Sequence, residues 1–262
     1  MPLTSVNAYI NSVKQRIPWF KTGARTTVAG IPFSMFELAG VPGAGTLNIG
    51  NTANGVVPDD SVAGYPVIDA IAGVGYLTRV EIGWSVAGRL AVYDRLFAAG
   101  AYAFNADVSL TSQPSFAARV PGANYKGGIE LWIETVTVFT GSPSFQINYL
   151  DDDGVAGDTG VIASGAAMTL GRMFRMPLAS GDNGVSRLDR VRGTVASAGT
   201  FNVCIMRRLW EGRVKIANDG DIHDLFRTGA PRVYPNSALF VVLTADAAAS
   251  GLPELSMEIA DA

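Results

Sequence analysis

Charge is the scarcest resource in this chain. Lys, Arg, Asp and Glu make up 16% of its 262 residues, where about 25% is ordinary for a soluble globular domain. The 20 basic and 23 acidic residues leave a net charge of -3. This balance argues against a dedicated nucleic-acid binder, which needs a basic face to release phosphate counterions. The one cysteine, Cys204, excludes an internal disulfide framework. It lies in the strand-like run Phe201 to Met206 and reads as a buried, inert thiol. Histidine is equally rare, so any triad of Ser, His and Asp would have to pass through His223, and no Gly-x-Ser-x-Gly elbow accompanies it. No apolar run reaches the roughly 18 residues of a membrane span. Met1, Pro2, Leu3 and Thr4 do not supply a basic region leading into an apolar one, so the chain is expected to stay in the compartment where it is made.

What the chain does have is hydrophobic residues, 48% of the total. Low charge with high apolar content fits two situations: subunit contacts, which lose charged residues and keep apolar and aromatic ones, or a large β core beneath a Gly- and Ala-rich surface. The length suits one large all-β domain, or one domain with an arm.

Alternation supplies the strands. Ile129, Leu131, Ile133, Thr135, Thr137 and Phe139 alternate with Glu130, Trp132, Glu134, Val136 and Val138, and the pattern resumes at Phe145, Ile147 and Tyr149 beyond Gly141, Ser142 and Pro143. This predicts a β-hairpin. Tyr76, Thr78, Val80, Ile82, Trp84 and Val86 form another strand, and shorter ones are expected at 161–163, 191–196, 200–206, 213–216, 239–244 and 255–259. Two helices are predicted. One covers Ser5 to Gln15 with Thr4 or Ser5 as cap and Pro18 as stop; the other covers Arg89 to Ala99 with Leu90, Tyr93, Leu96 and Phe97 on one face. From Trp19 to Ala72 the periodicity fails and Gly and Pro punctuate each short apolar run. So long a structureless stretch suits an arm laid over a neighbouring subunit, with Trp19, Phe20, Met35, Phe33 and Phe36 as its anchors. The expected division is an N-terminal helix and arm over 1–72 and a β-sandwich over 73–262, an all-β fold of sandwich or closed-barrel type.

Chemistry-bearing motifs are few, and each has a plain structural reading. His223 stands between Asp221 and Asp224, where a base or metal ligand needs partners that a polar turn does not. Asp151, Asp152, Asp153, Gly154 and Asp158 are a partial calcium loop, lacking the third acidic position and the closing Glu, which Ile162 replaces. A solvated turn is the expectation there, and no metal is assigned. The run Gly43 to Gly50 has glycine spacing unlike a dinucleotide fingerprint and reads as turn geometry. Glu130 and Glu134 lie about 13 Å apart along one strand, too far for a two-carboxylate glycosidase pair, although carboxylates from different strands stay open. The arginines at 187, 190, 192, 207, 208 and 213 stand among acids and read as paired strand-face charges.

A resemblance carries the reading further. Lys21, Thr22, Gly23, then Pro32, Phe33, Ser34, then Leu38 to Gly45, and Gly55, Val56, Val57, Pro58 are similar to the N-terminal half of structural proteins encoded in tailed-bacteriophage head modules. Trp132 to Thr135, Ile147 to Tyr149 and the Asp153, Gly154 turn resemble the central strands of the same virion proteins. The resemblance implies a jelly-roll β-sandwich that decorates or cements the capsid as a trimer: a non-enzymatic protein without cofactor, catalytic residue, nucleic-acid or membrane partner. It would be made in the host cytoplasm and assembled on the capsid surface with the major capsid protein as partner. A tail, neck or baseplate component and a lectin-like carbohydrate-binding module are the alternatives.

Overall fold

The computed structural model describes residues 5–69, 71–165, 168–196 and 198–261. Short helix α1 (Val6–Asn11) precedes β1 (Val13–Lys21), β2 (Gly40–Val41) and β3 (Asn51–Val56). Then come β4 (Gly75–Trp84), β5 (Gly88–Ala103), β6 (Asp107–Ser109), β7 (Ile129–Thr137), β8 (Ser144–Asp151), β9 (Ala156–Asp158) and β10 (Ile162–Ala163). The chain closes with β11 (Met173–Met176), β12 (Val185–Thr194), β13 (Thr200–Val214), β14 (Asp219–His223), α2 (Leu225–Thr228), β15 (Arg232–Val233), β16 (Leu239–Ala245) and β17 (Pro253–Asp261). The fold is all-β, as the alternation predicts, and it divides into two compact units.

The first unit comprises Met1–Gly45, Asp59–Asp94 and Leu209–Ala262. One layer is the antiparallel sheet β14-β4-β17-β1-β2, with β15 also on β4. Ile17 faces Met257 and Trp19 faces Leu255 across β1 and β17; Val80 and Ile82 meet the same two residues from β4. The Leu90–Leu243 and Val92–Val241 pairs of β5 and β16 form the opposing layer. Between them lies one core of Ile17, Trp19, Phe33, Leu77, Val80, Trp84, Leu243 and Met257, among others.

The second unit comprises Thr46–Pro58 and Arg95–Arg208 and has its own core. One layer is β10-β8-β12-β6 with β9 beside β8; the other contains β11, β7 and β13. Leu131, Ile133, Val203 and Ile205 share one apolar core with Phe145, Ile147, Leu188 and Val191, which makes a sandwich of the expected kind.

Four expectations are corrected. The segment 89–99 is strand, because nearly every residue of β5 is buried on both faces, and a strand buried on both sides loses alternation while chance apolar spacing imitates a helix. The predicted helix 5–15 ends at Asn11, with Ser5 accepting the Ala8 N–H at 3.1 Å, and Pro18 sits in β1 opposite Ser256; Thr4 lies outside the described residues. The strands of the predicted hairpin do not pair: β7 bonds to β11 and β13, β8 to β9, β10 and β12. Phe139, buried against Phe145 and Phe201, carries the link from one layer to the other. Its ring lies where a Cβ on Gly199 would be, at a residue with φ of 115°.

The fourth correction concerns the arm. Of the described residues, 46–58 belong to the second unit, whereas 19–45, 59–69 and 71–72 are part of the first, and no unit boundary falls at residue 72. Their backbone groups bond into that unit without regular periodicity: Phe33 exchanges both backbone hydrogen bonds with Leu243, Gly30 N–H donates to Ala245 O, and Thr27 N–H donates to Ala248 O. Deleting residues 1–72 removes β1 from between β17 and β2 and strips the core of Trp19, Phe33 and Met35. The truncated chain is therefore expected to lose the cooperative unfolding of the first unit in denaturant, and Trp19→Ala to cost about 3–5 kcal/mol.

Candidate functional site

The five residues expected to anchor a neighbour part company, and Met35 is fully buried. Trp19, Phe33 and Phe36 are buried in the chain's own unit, so they are core and not partner anchors. Their apolar area was available to β4, β16 and β17 and is consumed there. Phe20 is different. Burial alternates along β1, with Ile17, Trp19 and Lys21 inward and Arg16, Pro18 and Phe20 outward. Phe20 is 38% exposed and sits in register opposite Val41, which is 40% exposed.

Beside this pair the first unit has a recess of about 440 Å³, lined by Ile17, Pro18, Val41, Pro42, Val62 and Val67, with Arg16 and Asp60 among its polar members. Its walls are held by side chains acting as backbone surrogates. Gln15 donates to Val67 O at 3.0 Å and accepts from Asp69 N–H at 3.0 Å; Asp60 accepts the Ile68 N–H at 2.8 Å. Lys21 Nζ donates to the carbonyls of Leu38 and Pro42 at 3.0 Å and lies 3.4 Å from that of Gly43. Burial without a carboxylate partner lowers its pKa to about 8. The ring of Phe36 fills the space that a Cβ on Gly45 or Gly64 would need, so these glycines serve close packing.

His223 is a link in a chain of hydrogen bonds. Trp210 Nε1 donates to its Nδ1 at 3.0 Å, and its Nε2 lies 3.2 Å from Asp221 Oδ2. Indole N–H only donates, so the imidazole proton resides on Nε2 and points at Asp221. Asp221 forms a two-pronged pair with Arg227, which holds its carboxyl down at about 2.

In the 151–158 loop the carboxylates brace a turn between β8 and β9. Asp151 Oδ1 accepts the N–H groups of Asp153 and Val155; Asp158 accepts from the amides of Gln146 and Asn148 and from Gly160 N–H. Among the described residues no group of three or more His, Cys, Asp or Glu side chains converges as a metal site would. The arginines of the strand faces are paired: Arg190 with Asp107 through two bonds of 2.7 Å, Arg187 with Asp189, and Arg213 with Asp246. Cys204 is buried, and burial raises its pKa to about 12.

Glu130 and Glu134, which alternation places on one face of β7, are both buried. Glu134 meets Arg95 at 2.8 Å with both side chains at 0% exposure, and Asn202 Nδ2 donates to the same oxygen at 3.1 Å. Glu130 lies at a cleft of about 510 Å³ in the second unit. Its Oε2 accepts Trp132 Nε1–H at 3.0 Å, and its Oε1 faces Arg175 at 3.4 Å and Arg208 at 3.8 Å. Asp182, Asn183, Met176, Pro177 and Leu178 also line the cleft. Sequence reasoning singled out Glu130 and Arg208 without joining them; the cross-strand register of β7 with β11 and β13 is what brings Arg175 to them.

No protein-family model matches the chain, and no curated protein does. Among solved structures it is similar to a chain of the infectious bursal disease virus Gt strain, at 11% identity and a TM-score of 0.18 over 95% of this chain and 80% of that one. It is also similar to a chain of T=1 particles derived from infectious bursal virus, at 9% identity and a TM-score of 0.19 over 95% and 78% of the respective chains. Likenesses this slight carry no argument about function.

Two outcomes follow from the buried charges. Glu134→Ala takes the carboxylate from the buried Arg95 guanidinium and should cost about 3–5 kcal/mol in denaturant unfolding, while an apolar replacement of both partners should cost much less. Lys21 has a folded-state pKa below its unfolded value, so its buried charge weighs against the fold at neutral pH and the penalty lifts as pH rises from about 8 toward 10.5. Stability should therefore gain on the order of 1–3 kcal/mol over that window relative to Lys21→Met.

Proposed function

We propose that the chain is a non-enzymatic structural protein of a virion, a decoration or cement protein that stabilises a capsid through surface contacts. The observation that carries this reading is the apolar surface of the first unit, where Phe20 and Val41 lie side by side next to the recess rimmed by Val62 and Val67. In a chain so short of charge, an exposed apolar patch around a rigid concavity is what an interface core requires. The all-β build fits the same role, since units with large apolar cores present surfaces that change little on assembly. The resemblance of the Gly- and Pro-marked turns to tailed-phage head proteins adds the capsid as partner. The motif residues of the first unit do structural work: His223 is held between Trp210 and Asp221, Lys21 by carbonyls, and Phe36 by glycines.

The contact surface is thus moved from the buried Trp19, Phe33 and Phe36 to Phe20 and its exposed neighbours. A trimer with the major capsid protein beneath it would bury about 1,600 Å² for each standard contact. Quantitative mass spectrometry of purified particles tests the reading. A decoration protein is present in proportion to the major capsid protein; a neck or tail component is present in a few copies, and absence from particles overturns the proposal. A Phe20→Asp, Val62→Asp double variant is expected to keep its fold and lose at least about tenfold in particle attachment.

A further inference from the structure

The single histidine of the chain stands where a fixed ring meets a weakly held corner of the first unit. In the antiparallel pair of β14 and β4, His223 lies opposite Val80 and Asp221 opposite Ile82, on the face that turns to the core. Ile222 lies opposite Glu81 on the other face. His223 and Trp210 are both buried, and their rings meet edge to face with centroids 5.0 Å apart. The indole packs closely over its own strand, since a Cβ on Gly212 would lie 2.3 Å from Cζ2. On the histidine's side, β14 stands at the edge of its sheet beside β4. The four-residue α2 that follows leaves Phe226 82% exposed. A corner with so little apolar burial belongs to the low end of local stability.

The proton count of the imidazole decides whether this contact holds. Neutral His223 accepts Trp210 Nε1–H on Nδ1 and points its Nε2 proton at Asp221 Oδ2. A second proton has only Nδ1 to go to. The imidazolium keeps Asp221, which Arg227 holds ionised with its carboxyl down at about 2. Toward Trp210 it sets one N–H against another across the 3.0 Å where an acceptor stood. Two buried donors then face each other, and the hydrogen bond between the elements is lost.

The other charges of the neighbouring elements are engaged elsewhere. Arg79 and Glu81 of β4 pair with each other on the outer face at 2.6 Å. Along β13, Glu211 and Arg213 are exposed where Trp210, Gly212 and Val214 are buried, and Arg213 pairs with Asp246. Asp219 accepts the Gly220 N–H, and Asp224 accepts the N–H groups of Phe226 and Arg227. Further along the edge of β4, Arg232 of β15 lies over the Tyr234 ring.

We propose that His223 is an acid-operated latch: uptake of a proton at Nδ1 breaks the contact with Trp210 and loosens the corner of β14 and α2 from β4, and loss of that proton restores it. Trp210 is the fixed side of the latch and the edge strand with its short helix is the moving side. The device rests on the hydrogen bonds of the first unit and does not depend on the virion reading.

The test is nuclear magnetic resonance of the nitrogen-labelled full chain from about pH 8 to about pH 5, the range in which imidazoles change charge. It follows the ring nitrogens of His223, the indole N–H of Trp210 and the protection of the amides from 221 to 228 against exchange. As the ring takes up its second proton, the indole signal is expected to move to that of an unbonded indole. Protection at 221–228 should fall at least about tenfold while that of Met257, in the interior strand β17, holds. His223→Gln offers a carboxamide oxygen to the indole and an N–H to Asp221 without titrating, so the indole signal and the protection should stay constant over the same range. The measurement on the unaltered chain stands whether or not that variant folds. A ring that stays neutral down to about pH 5, a ring that titrates with the indole signal and the protection unchanged, or an equal loss of protection in the His223→Gln chain overturns the proposal.

Discussion

A carboxylate withdrawn wholly from water must find its countercharge, and in the second unit that demand is met between Glu134 and Arg95. Both are fully buried, and Asn202 donates to the same Glu134 oxygen. Arg119 in turn donates to the backbone carbonyl of Arg95 at 2.7 Å and to that of Pro58. These contacts tie β5, β7 and β13 to one register. Asn202 lies directly opposite Glu134, and a slip of one residue would take it away while turning Val203 and Ile205 out of the core. The ion pair need not add net stability to do this, since desolvating two charges offsets much of their attraction. Its effect is on which pairing is tolerated: any other register leaves a charge buried alone.

The same pair explains where the sequence misleads. Alternation along β7 is real, but it separates an apolar core face from a polar face that is also buried, and nothing local distinguishes a buried Glu from a solvated one. Periodicity found the strands around Tyr76, Ile129, Leu239 and Leu255 because each pairs long, regular stretches. It failed at β5, where burial on both faces erases the alternation, and at Phe139, where an apparent turn crosses the core. The long Gly- and Pro-rich segment failed for another reason. Phe33 and Leu243 exchange hydrogen bonds across 210 residues of sequence, and a contact of that kind leaves only isolated apolar residues in the sequence.

Charge scarcity acquires a sharper meaning once the charges are placed. Several are spent inside: Arg95 and Glu134 on each other, Lys21 on three carbonyls, Asp94 on Ser237 and the Ala238 N–H. Others are neutralised in pairs on the strand faces, as Arg190 is by Asp107. Exposed pairs of this kind contribute little to stability, but they remove net charge from the surfaces they occupy. Such a surface resists close approach of a neighbour less than a strongly charged one would.

The two recesses then separate the tasks that a surface can perform. The recess next to Phe20 is apolar, and its walls are fixed by Gln15, Asp60 and Lys21, side chains that bond to backbone and so hold a shape without offering directional groups to a ligand. Shape and apolar area favour a broad partner, which gains from burial in proportion to the area covered. The cleft at Glu130 concentrates directional groups of both signs on a small area, and burial of Glu130 behind the two arginines fixes those groups before anything binds. Preorganised polar groups discriminate by geometry and are penalised when a partner leaves them unpaired. Burial scales with area and hydrogen bonding with alignment, so an apolar recess and a charged cleft make different demands on whatever covers them.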